Sequence, residues 1–171
     1  MATIDEYTRD GRQWRMAAET TFQAATLLFN LKNNPFVWFP AALLGHHALE
    51  MLLKSALIRE GCPVEKGKPE DGFVWGHDLE KLAKLVTSKW QDFSLQIPVN
   101  PEMPLISSQT YLARDDVFFD ELRYPTSSPN VDSLGPGEDE AALLATLMHG
   151  IRPFAFPLPI EEPHVGTAAS V

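Results

Sequence analysis

Apolar residues recur at three- and four-residue intervals along most of the chain, and clusters of Gly, Pro and Asn interrupt them. Trp14, Ala17, Ala18, Phe22, Ala25, Leu28 and Phe29 make one apolar face and predict a helix over about 10–33, stopped at the stretch KNNP. A second helix is predicted over about 39–60, with Pro40 in its first turn, where a missing N–H costs nothing, and Gly61 as its stop. Its sequence, AALLGHHALEMLLKSALIREG, is apolar on almost every side, which places this helix at the centre of a fold. Leu79, Leu82, Ala83, Val86 and Trp90 form the stripe of a third helix over about 77–90, with Gly76 or His77 as its cap and Asp78 and Glu80 in its first turn. Leu105, Leu112, Phe119 and Leu122 mark a fourth over about 105–123, ended by Pro125. Leu143, Leu144, Leu147, Met148 and Ile151 mark a fifth over about 138–152.

No segment alternates in the manner of a strand and no repeat is visible, so the fold class expected is all-α, an antiparallel bundle of four to five helices. The bundle domain takes residues 1–152. Residues 153–171 form an extended tail, because Pro153, Pro157, Pro159 and Pro163 favour polyproline geometry, and Phe154, Phe156, Leu158 and Ile160 can strap one edge onto the bundle or a partner. The last residues, GTAASV, are expected to be disordered. The loop over 61–76 is long and rich in Gly and Pro, a feature of functional loops.

A chain of 171 residues can form a core without staples, and its single cysteine, Cys62, leaves no intramolecular disulfide to make. That fits a reducing compartment, and a polar start without a signal-type apolar stretch adds to the expectation of a cytoplasmic protein that does not enter a membrane. The formal net charge of −9 opposes non-specific binding of nucleic acid, which relies on a basic surface. Arg9, Arg12 and Arg15 stand near one another, but Asp5, Glu6, Asp10 and Glu19 surround them. A local site for one small anionic ligand remains compatible with this charge.

Candidate chemistry concentrates in two places. His46, His47, Glu50 and Lys54 span an arc of roughly 100° on the second helix. This stripe is either a site lining the bundle or a dimer groove, or a solvated strip in which Glu50 and Lys54 form an i,i+4 pair. A metal site built from His46, Glu50 and His77 is the sharper version of the first reading. It lacks a His-x-x-x-His spacing and a cysteine cluster, so no metal and no cofactor are expected. His77 is also read as part of the cap of the third helix. The second place is Arg123 and Tyr124, at the end of the fourth helix. Arg123 either rests on free helix-end carbonyls or presents its planar fork to a phosphate, with Tyr124 stacking on or hydrogen-bonding the same ligand. The chain holds no Gly-rich phosphate loop and no Ser/His/Asp or Cys/His arrangement of known spacing.

The succession HHALEMLLKSALIREG, GHDLEKLAKL, FFDELRYP and an acidic-start helix resembles the HEPN domain family over about residues 12–152. The resemblance implies a small helical bundle that forms homodimers. It also implies an association with a minimal nucleotidyltransferase partner, or with toxin–antitoxin and defence systems. The Glu50 and Lys54 stripe matches the family's pattern on the second helix. RNase members carry a histidine separated from their arginine by four to six residues, and Arg123 matches that arginine. Here the histidine positions hold Ser128, Pro129 and Asn130, none of which exchanges protons near neutral pH. The Arg-Tyr-Pro form resembles the non-RNase branch, for which nucleotide binding is proposed. The function expected is therefore a non-catalytic module. It would bind a nucleotide or a partner protein through Arg123, Tyr124, Lys54, Glu50, His47, His46 and His77. A divergent RNase that borrows His47 or His149, and a purely structural interaction module that uses its tail, stand as alternatives.

Overall fold

A computed structural model describes residues 11–31, 37–63, 71–74, 76–93 and 137–158. Among them are four helices and no strand: α1 (Gly11–Phe29), α2 (Trp38–Arg59), α3 (Leu79–Lys89) and α4 (Gly137–Ile151). These correspond to the first, second, third and fifth helices expected from the periodicity. The fourth, over 105–123, lies outside the described residues, and Arg123 and Tyr124 lie outside them too.

The order of contacts follows from where the apolar residues fall. α2 touches α1, α3 and α4, and α1 also touches α4. Ala41, Ala42, Ala48, Leu49, Leu52, Leu53, Ala56 and Leu57 bury several sides of α2, as a helix apolar nearly all round must. Leu79, Leu82, Ala83 and Val86 bring α3 against this core, and Leu144, Leu147, Met148 and Ile151 bring α4. No described helix is long and apolar enough to cross a membrane.

The helix ends follow local chemistry. Gly61 adopts φ 76°, its N–H bonds the Ile58 carbonyl at 2.9 Å, and the Cys62 N–H bonds the Leu57 carbonyl at 3.0 Å. This left-handed stop satisfies two of the orphan carbonyls of α2, and glycine takes the conformation without a Cβ penalty. α1 is shorter than the pattern suggested: after Phe29 the chain tightens, and the Leu31 N–H bonds the Leu28 carbonyl three residues back. At α3 the cap is Asp78, not Gly76 or His77. Its carboxylate accepts the Lys81 N–H at 3.0 Å, because a short carboxylate in extended geometry reaches the third helical amide.

α1 also corrects the expected inner face. Ala17 is exposed, whereas Arg15 is buried with Gly11, Ala18, Ala25 and Phe29. The Arg15 guanidinium donates to Glu19 at 2.8 Å and to the carbonyls of Arg152 and Phe156. Arg152 grips the same Glu19 through both carboxylate oxygens, at 2.9 and 2.7 Å. Burial alone would raise the Glu19 carboxyl, but the hydrogen bonds and charges of Arg152 and Arg15 hold it below the ordinary range.

Residues 153–156 lie against this corner. Arg59 donates to the carbonyls of Pro153, Phe154 and Ala155. The buried Phe154 ring meets Trp90 and Phe93 edge-on, with centroids 5.4 and 5.2 Å away. Ser55 donates to the Gly11 carbonyl at 2.7 Å and accepts the Phe156 N–H at 3.2 Å. A Cβ at Gly11 would collide with the Phe156 ring, so this start of α1 requires glycine.

Candidate functional site

His46, Glu50 and Lys54 follow one another at four-residue intervals, so α2 stacks their side chains one turn apart on one face. That face points inward. His46 is 0% exposed, Glu50 3% and Lys54 5%. The stripe is therefore not a solvated strip, although Glu50 and Lys54 do form the i,i+4 pair: the Lys54 ammonium donates to Glu50 Oε1 at 2.6 Å. The same ammonium lies 5.4 Å from the centre of the Trp14 ring, which brings α1 over it.

His77 arrives from the residues just before α3 and completes the chain of bonds. Its Nδ1 lies 3.0 Å from Glu50 Oε2. A carboxylate only accepts, so Nδ1 carries the proton. The His77 backbone carbonyl in turn lies 3.0 Å from His46 Nε2, and a carbonyl likewise requires that Nε2 donate. α2 thus holds His77 twice, by its ring through Glu50 and by its backbone through His46. The His77 side chain is 47% exposed, so the buried chain reaches the surface there. His47, with a side chain 36% exposed, places Nδ1 3.8 Å from Glu50 Oε2 at the rim.

The electrostatics follow from this arrangement. Burial would raise the Glu50 carboxyl, but the hydrogen bond from His77 and the charge of Lys54 overcome it and bring it to about 2. Burial takes His46 the other way, from 6.5 to about 4, against the pull of Glu50 and the bond to the His77 carbonyl. At neutral pH the inner part of the site thus holds a Glu50–Lys54 ion pair and an uncharged His46.

Of the sequence candidates, His46, His47, Glu50, Lys54 and His77 come together in one connected cluster. Both Glu50 oxygens are engaged, by Lys54 and His77, so the cluster is a hydrogen-bonded chain and not a coordination sphere. Among the described residues no group of three or more His, Cys, Asp or Glu is arranged to hold a metal ion. His149 stands exposed in the last turn of α4. Cys62 is buried, and burial pushes its thiol up, away from the reactive thiolate.

The sequence reading overlooked Arg15, Arg59 and Ser55, which hold residues 152–156. A signal for Arg15 was present: it falls on the 11, 15, 18, 22, 25, 29 stripe, whose other members are small or aromatic. No protein-family model matches the chain, and neither a curated protein nor a solved structure matches it.

Proposed function

We propose that this protein is a non-catalytic HEPN-like module that binds a nucleotide, with the polar face of α2 and His77 forming one side of the site. The observation that carries this reading is the buried chain His46–His77–Glu50–Lys54, which opens to the surface at His77. Burying an ion pair costs several kcal/mol of desolvation on the order of what its attraction returns, so such a pair is weakly explained by stability alone. Buried groups with strongly shifted proton affinities, as Glu50 and His46 are, mark functional sites more often than plain core does. The resemblance of the Glu50 and Lys54 stripe and of the Arg-Tyr-Pro segment to the non-RNase branch supplies the ligand class. In this reading Arg123 grips the phosphate and Tyr124 contacts base or sugar. Lys54, whose ammonium is spent on Glu50, sets the position of Glu50 and His77 in place of touching the ligand first. The same resemblance supplies the setting, a homodimer that works beside a nucleotidyltransferase partner or within a toxin–antitoxin system.

A protein partner is the second reading, and one observation favours it: Met16, Leu27 and Leu31 are 58, 71 and 52% exposed along α1 and the turn after it. Thermal shift of the purified chain against a panel of nucleotides, with Arg123→Ala alongside, separates the two. A nucleotide that stabilises the wild type and not the variant supports the first reading. No stabilisation by any nucleotide overturns it and leaves the partner protein.

A further inference from the structure

The outer face of α1 differs from an ordinary solvated helix face. Between Met16 and Leu31 the only charged residue is Glu19, and its carboxylate is held by Arg15 and Arg152. Every exposed position in this stretch is therefore uncharged, and Met16, Leu27 and Leu31 are large and apolar. α3 shows the contrast, since its exposed positions include Lys81, Lys84 and Lys89.

The spacing along the α1 face is regular. Met16, Thr20, Gln23 and Leu27 are all exposed and follow one another at intervals of four, three and four. Such intervals average about 3.5 residues and make the seam of a two-helix coil, in which side chains pack knobs into holes. The order four, three, four also reads the same in both directions. A second α1 laid antiparallel, with a two-fold axis between residues 21 and 22, thus offers the same seam in register. Met16 then meets the second copy's Leu27 at both ends, and Thr20 meets the second copy's Gln23 beside the axis. The Thr20 hydroxyl already donates to the Met16 carbonyl at 3.0 Å, so it needs no partner across the contact. The two Gln23 amides carry a donor and an acceptor for each other, and a polar layer of this kind fixes register. Charge selects the same partner. Two chains of net charge −9 repel, and the repulsion is least where the facing surfaces bring no carboxylate. Mirrored spacing is what an isologous contact uses, because one patch serves both subunits.

We propose that the outer face of α1 is the contact surface for a second copy of this chain, paired antiparallel about Thr20 and Gln23. The inference rests on the reading above only for the homodimer, to which it gives a face. Sedimentation of the full chain over a range of concentrations, with no nucleotide present, tests it. The wild type is expected to reach twice the mass of the chain. Leu27→Glu is expected to raise the dissociation constant about tenfold or more, since it forces a carboxylate into an apolar contact. Met16→Lys should do the same. The two changes together should recover most of the loss, because the new charges face each other only across the contact. Within one helix they stand eleven residues apart, roughly 16 Å. Both positions are exposed, so the fold should persist, and circular dichroism checks it. A monomeric wild type overturns the proposal and leaves the face to another segment of the chain or to a protein of other sequence. A dimer that neither single change weakens overturns it and places the homodimer contact elsewhere. Loss without recovery in the double variant overturns the antiparallel pairing. None of these outcomes bears on nucleotide binding, which the thermal-shift panel reads separately.

Discussion

His46 gives the fold a dependence on pH that can be worked out from its surroundings. It is fully buried between α2 and the residues before α3, where Glu50, His47 and His77 are among the charged or titratable groups that act on it. Its proton affinity falls from 6.5 to about 4, chiefly because burial penalises the imidazolium. The folded value lies below the unfolded one, so the unfolded chain binds the extra proton. Stability from this group is complete above 6.5 and is lost as pH falls from there towards 4. At about 1.4 kcal/mol per unit, the loss is about 2 kcal/mol by pH 5 and about 3 kcal/mol in all. Glu50 works in a lower window: its folded value is depressed to about 2, so its contribution persists above its ordinary 4.5 and fades as pH falls from there. The range between pH 7 and 5 therefore lies above the window of Glu50, and comparison with a His46 variant separates this histidine from the others. Urea unfolding of wild type and His46→Gln at pH 7, 6 and 5 tests it, since the glutamine amide retains a donor for the His77 carbonyl. Over this range the wild type should lose about 2 kcal/mol more than the variant. Equal slopes in the two proteins would refute the reasoning.

Other consequences follow from the same contacts. Glu50→Ala strands the buried Lys54 ammonium and should cost about 3–5 kcal/mol in denaturant unfolding, whereas changing Glu50 and Lys54 together to Met should recover most of the loss. Phe154→Ala empties the space between Trp90 and Phe93 and should lower stability by about 3–5 kcal/mol, read by thermal melting with calorimetry. Gly11→Ala drives a methyl group into the Phe156 ring and should cost about 1–3 kcal/mol. Adding Phe156→Ala should cancel most of that penalty in a double-mutant cycle.

The helices were legible because each described one repeats its apolar residues near the 3.6 period, and the centrality of α2 was legible because its apolar residues surround it. The Glu50–Lys54 pair was legible from its four-residue spacing. That it is buried was not, since local spacing is the same for a solvated and a buried pair. What decides is Trp14 arriving from α1 and His77 arriving 27 residues along the chain, contacts that close only when the bundle forms. The role of Arg15 was not legible for a related reason. An arginine among acidic neighbours looks like surface, and its burial depends on the carbonyls of Arg152 and Phe156, more than a hundred residues away, accepting its guanidinium. Asp78 as the α3 cap turned on a single residue of register, which the stripe of Leu79, Leu82, Ala83 and Val86 leaves open.

The most direct test of the α2 polar face as a binding site is a backbone-amide NMR map of the full chain, titrated with the nucleotide that stabilises it most. The account predicts shift changes gathered at His46, His47, Glu50, Lys54 and His77, together with Arg123 and Tyr124. Changes confined to the outer face of α1 around Met16 and Leu27, with the α2 cluster unmoved, would contradict it.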